Sequence, residues 1–85
     1  MAMAQEKPRK GPFKVGTKQT LKALEQDKAV EVFVARDADP KVVAKVIQLC
    51  RLKGIRVNYV DTMAALGKTC GIEVGAAAAA LCKAD

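Results

Sequence analysis

The stretch that decides the fold runs Val30-Glu31-Val32-Phe33-Val34-Ala35, then Asp37-Ala38-Asp39-Pro40, then on to Lys53-Gly54. The first six residues alternate and are rich in β-branched side chains, the pattern of a strand. Asp39 before Pro40 is a helix start. A carboxylate there accepts a first-turn N–H, and the fixed φ of proline suits the first helical position. Val42, Val43, Val46, Ile47, Leu49 and Cys50 follow at helical spacing. Basic residues then meet the negative end of the helix dipole, and Gly54 lies just past the end. Ile55 to Val60 reads as a second strand.

Working outward, Phe13 to Val15 is expected as a short edge strand, and a helix starts at Gly16-Thr17 with Thr17 as its N-cap. Leu21, Leu24 and Ala23 form the buried stripe of that helix, which should end near Asp27. On the other side, Thr62 caps a short helix from Met63 to about Thr69. Gly71-Ile72-Glu73-Val74-Gly75 is a loop whose two glycines let the chain turn through positive φ. Ala76 to Leu81 is an alanine run that propensity alone assigns to a helix. Alternating strands and helices argue for an α/β sandwich, a sheet covered by helices.

Met1 to Pro12 is polar, carries two prolines and reads as a flexible basic tail; residues 13–85 form a single domain. Up to Lys18 there are five basic residues against one acid. The whole 85-residue chain carries 15 basic and 9 acidic residues, a net charge of +6, which favours a polyanionic partner. Phe13, Phe33 and Tyr59 are its only aromatics, so the core must be aliphatic. Cys50, Cys70 and Cys82 are odd in number and contain no C-x-x-C, which argues against a disulfide framework and a zinc site. Histidine, the commonest general base and metal ligand, is absent. Nothing points to a cofactor. No apolar run reaches 18 residues and the first dozen residues lack a signal core, so a cytoplasmic protein that does not enter the membrane is expected.

Leu66-Gly67-Lys68-Thr69 contains G-K-T, but a phosphate-binding loop also needs glycine where Thr62 stands, and Met63 to Leu66 is helical rather than glycine-rich. Asp37 and Asp39 are close enough to act as an acid pair, yet turn and cap chemistry account for both. An enzyme is therefore not expected. Two segments keep open alternatives. Gly16-Thr17-Lys18-Gln19-Thr20-Leu21-Lys22 joins a helix N-terminus to three polar donors. It reads either as a phosphate and base-edge site or as a solvated face. Ile72 and Val74 either fold back into the core or offer an apolar surface to a partner.

Gly16 to Leu24, Asp37 to Pro40, and Leu66-Gly67-Lys68-Thr69-Cys70-Gly71-Ile72-Glu73-Val74-Gly75-Ala76-Ala77 together resemble the kink-turn-binding ribosomal proteins of the L7Ae type, nearest the small bacterial YbxF-type members. The likeness spans Phe13 to about Leu81, with three separated motifs in order. It implies a three-layer α-β-α sandwich around a four-stranded mixed sheet, with Ala76 to Cys82 a strand against its propensity. It also implies a monomer that binds kink-turn RNA, with sheared G·A pairs and a flipped-out nucleotide, in association with the ribosome. Gly16, Thr17, Lys18, Gln19 and Lys22 would meet the G·A pairs. Asp39, with Val43 one turn on, would lie beside the flipped base, and Ile72, Glu73, Val74 and Gly75 would cover the extruded nucleotides. Many archaeal and eukaryotic members carry Asn-Glu where this chain has Lys18-Gln19, which removes a carboxylate and adds a cation. The competing expectation is a protein-interaction module that uses the 71–75 loop without RNA.

Overall fold

The computed structural model describes residues 13–72 and 75–83. The expected tail, Met1 to Pro12, and two of the expected loop contacts, Glu73 and Val74, lie outside the described residues. The elements run β1 (Phe13–Val15), α1 (Thr17–Glu25), β2 (Ala29–Ala35), α2 (Pro40–Lys53), β3 (Arg56–Val60), α3 (Met63–Cys70) and β4 (Ala78–Cys82). The sheet order is β1-β4-β2-β3, with β2 and β3 parallel and the other two pairings antiparallel. This is the expected four-stranded mixed sheet. Helices α1 and α2 pack on each other over one side of it, and α3 lies against β2, β3 and β4 to complete the three layers.

The alanine run is the clearest case of tertiary context overriding propensity. Ala78, Ala79 and Ala80 are fully buried. Successive residues of a strand face opposite ways, and β4 has neighbours on both edges and helices over it. Only small side chains fit such a position, and the two ladders satisfy the backbone groups that a helix would otherwise pair internally. The register sets Phe13 against Leu81 and Phe33 against Ala79, and the Phe13 and Phe33 rings meet edge to face at 6.0 Å.

The core is aliphatic, as composition requires, with Leu24, Leu66, Val32, Val34 and Val46 fully buried. On α2 only Val43, Val46 and Cys50 of the expected stripe are buried; Val42 is exposed, and Ile47 and Leu49 are partly covered. The helix otherwise has the expected ends. The Asp39 carboxylate accepts the Lys41 N–H at 2.9 Å, and Gly54 closes the helix in the left-handed region at φ 70°. Lys53 donates to Asp27 at 2.8 Å, which ties the C-terminal ends of α1 and α2 together. That bond and the lysine charge hold the Asp27 carboxyl below its ordinary pKa.

The cysteines are free. Cys50 and Cys82 are buried and Cys70 is half-buried; burial raises all three thiol pKa values, that of Cys50 to about 11. Among the described residues no group of acidic or cysteine side chains could hold a metal ion, and no helix is long and apolar enough to cross a membrane.

Candidate nucleic-acid interface

The topology carries three helix N-termini to one end of the sheet. Gly16 donates its N–H to Ala78 O at 2.8 Å, which fixes the start of α1 to the start of β4. Ala35 N–H reaches Ala77 O at 2.9 Å and Arg36 N–H reaches Val60 O at 2.8 Å, so β2 and β3 end at the same level. Asp37 follows β2, and its carboxylate accepts the Met63 N–H at the start of α3 at 2.8 Å. Ala76 N–H bonds Met63 O at 3.1 Å, which brings the end of the 71–77 segment to the same helix start.

These N-termini differ chemically. The first turn of a helix has N–H groups without intrahelical partners and a partial positive charge. At α2 the Asp39 carboxylate answers that need, and at α3 the Thr62 hydroxyl accepts from Ala65 N–H at 3.0 Å while Asp37 takes Met63 N–H. At α1 no side chain among the described residues caps the helix. The expected cap, Thr17, is instead its first residue. Gly16 is the N-cap, at φ 103° and ψ 153°, because its carbonyl accepts the first helical N–H, from Thr20, at 2.9 Å. The Thr20 hydroxyl donates to the same oxygen at 2.7 Å from a fully buried side chain. Thr20 is a positioning residue that apolar periodicity does not reveal; its spacing of four from Gly16 is the only signal.

Lys18, Gln19 and Lys22 are exposed around this uncapped start, and Gly16 and Thr17 are half-buried beneath them. Asp39 is exposed at the neighbouring helix start. Val43, expected beside it, is only 6% exposed and belongs to the core. Ile72 is half-buried, and its N–H donates to Gly67 O at 3.0 Å. Of the two loop glycines, only Gly71 uses positive φ, at 82°. Gly75 is needed for close approach instead: a Cβ there would meet the Met63 Cβ at 3.1 Å and its backbone at 3.2 Å. Arg36, absent from the expected set, also reaches this end, its guanidinium 5.3 Å from the Tyr59 ring centre and 3.9 Å from Asp61.

The chain is 58% identical over 69 residues to an RNA-binding protein of Halalkalibacterium halodurans, covering 81% of this chain and 84% of that one. It is 46% identical over 71 residues to the RNA-binding protein YbxF of Geobacillus stearothermophilus, covering 84% and 87%. Its fold superposes on the 15.5 kDa RNA-binding protein of Giardia lamblia with a TM-score of 0.80 at 32% identity, covering 87% of this chain. The match spans 62% of the Giardia chain's length. The family pattern described as "Ribosomal protein L7Ae/L30e/S12e/Gadd45 family" matches residues 2–85, and with relatives this similar over most of their length the chain belongs to that family.

Proposed function

We propose that this protein is an RNA-binding protein, not an enzyme, that recognises and stabilises kink-turn RNA. The observation that carries the reading is the start of α1: alone among the three helix N-termini at that end, it has no side-chain cap among the described residues, which leaves its first turn to a ligand and surrounds it with Lys18, Gln19 and Lys22. An anionic ligand there gains both the N–H donors and the dipole. Gln19 and Lys18 are donors suited to base edges at sheared G·A pairs, and Lys22, one turn on, is suited to a phosphate. The half-buried Gly16 and Thr17 let the RNA backbone come close. Asp39 faces the flipped nucleotide, and the Ile72, Glu73, Val74 and Gly75 segment covers the extruded bases. The names of its relatives support RNA as the ligand, and the ribosomal members of its family support a place on or near the ribosome. The protein acts as a monomer in the cytoplasm.

Binding selects a bent RNA conformer and can stabilise the kink only by as much as it prefers it. The test is affinity for a kink-turn RNA against a control of equal length whose G·A pairs are replaced by Watson–Crick pairs, each over a salt series. The kinked RNA should bind tighter. Lys22→Ala should make the salt dependence shallower by about one unit, the loss of one phosphate contact. Equal affinity for the two RNAs would refute kink recognition. A salt-independent affinity would argue for apolar docking of a protein partner instead.

A further inference from the structure

Beyond the start of α1, an open cleft of about 590 Å³ runs along that helix to the turn that follows it. Its walls carry Lys14 from β1, Lys22 from α1, Lys28 from the turn before β2 and Lys83 just after β4, with Gln19 and Gln26 between them. Lys83 N–H donates to Lys28 O at 2.9 Å, so two cationic residues 55 positions apart are held side by side. Among the described residues the one acid lining the cleft is Asp27, and its carboxylate is bound to Lys53 at 2.8 Å. Gathered like charges repel one another, and a polyanion relieves that repulsion. Through Gln19 and Lys22 the cleft is continuous with the surface around Lys18. Lysines therefore flank α1, whose nine residues rise about 14 Å, with the exposed Glu25 the acid on the Lys18 side.

The chemistry of the lining chooses the occupant. Grooves for single strands combine cations with aromatic side chains on which bases stack, and among the described residues no aromatic one lines this cleft. Lysine ammonium groups with amides between them suit phosphates spaced along a helix. We propose that the cleft is a phosphate track for the helical RNA stem that leaves the kink, with Lys28 and Lys83 at its far end. This rests on the kink-turn reading for the anchoring of the RNA at the start of α1.

The experiment compares the intact protein with the double variant Lys28→Ala/Lys83→Ala on two kink-turn RNAs, one with a long stem and one with that stem cut back close to the G·A pairs. The charge-matched control is Lys45→Ala/Arg56→Ala, whose exposed side chains lie outside the cleft. Thermal unfolding verifies that each variant is folded. The double variant should lose affinity for the long-stem RNA only, with a salt dependence shallower by about two units. Between 50 and 200 mM salt this amounts to a roughly tenfold smaller drop in affinity than the unaltered protein suffers. The control should change both RNAs little and equally. Equal weakening on both RNAs, a like effect from the control, or no effect at all would overturn the track. Failure of the kink reading is visible separately, as loss of preference for either RNA over its Watson–Crick control. The long-stem effect is then read on plain duplexes of the two lengths.

Discussion

Gly16→Ala is expected to weaken both the fold and the recognition end, through the backbone alone. At φ 103° and ψ 153° Gly16 occupies a region of backbone space that is essentially closed to residues with a Cβ. A Cβ built there meets nothing within 4 Å, so packing adds no penalty. The whole cost is conformational, of order 1–3 kcal/mol. An 85-residue domain has a total stability of about 4–13 kcal/mol, so a 2 kcal/mol loss should lower the melting temperature by roughly 8–16 °C. The strain cannot be relieved by rotating to negative φ without disturbing three bonds: Gly16 N–H to Ala78 O at 2.8 Å, and the two that Gly16 O accepts from Thr20.

Gly54 supplies the internal comparison. It also has open space around its missing Cβ, but its φ 70° and ψ 28° lie in the left-handed region that asparagine tolerates. Gly54→Asn should therefore be milder than Gly16→Asn or Gly16→Ala. Thermal unfolding of the variants, together with RNA titration, separates the cases. A Gly16→Ala protein that melts within a degree or so of the unaltered one, or that loses no more than Gly54→Asn, would refute the argument that the start of α1 is held in a glycine-only conformation.

Two further outcomes follow from single groups. The folded chain holds the Cys50 proton to about pH 11, whereas an unfolded thiol releases it near its ordinary value of 9.0. Stability should thus fall as pH rises from about 9 through about 11, and Cys50→Ala should remove that part of the alkaline loss, read as the difference between two denaturation series; parallel series would contradict it. Asp37→Ala removes the acceptor of Met63 N–H and should cost about 0.5–2 kcal/mol, as for loss of a helix cap. Urea unfolding checks it, and Asp37→Asn, which keeps an acceptor oxygen, should lose less.

What could be read from the sequence was local chemistry. Asp39-Pro40 starts α2, Thr62 caps α3 and Gly54 ends α2 because cap and turn preferences act within a few residues. The same locality misled at α1, where the hydroxyl at Thr17 outweighed a glycine whose positive φ is visible only once β4 holds its N–H. The strand at Ala78–Cys82 was legible only through family likeness. Nothing in an alanine run announces that it will be walled in on both faces. Asp37 read as a turn residue, yet its partner, Met63, is 26 positions on. The lysine cleft was invisible for the same reason: Lys14, Lys22, Lys28 and Lys83 share no spacing, and only the sheet order brings them together.

On the kink-turn reading, preference for a bent RNA requires two contact points at a fixed separation, since a compliant pair would follow straight and bent conformers alike. The first residues of β4 and those just before them can supply that rigidity. Ala78 O holds the start of α1 through Gly16, Ala77 O holds the end of β2 through Ala35, and Ala76 N–H holds the start of α3 through Met63. Three consecutive backbone units thus link the elements that carry the recognition end. The fully buried side chains of Ala78, Ala79 and Ala80 leave that strand no room to shift. A larger residue there would push the helices off the sheet, and an exposed one would let the strand move. Burying the least bulky chiral residue in the middle of the sheet gives up helical propensity in the run, and in return holds the starts of α1 and α3 on one frame.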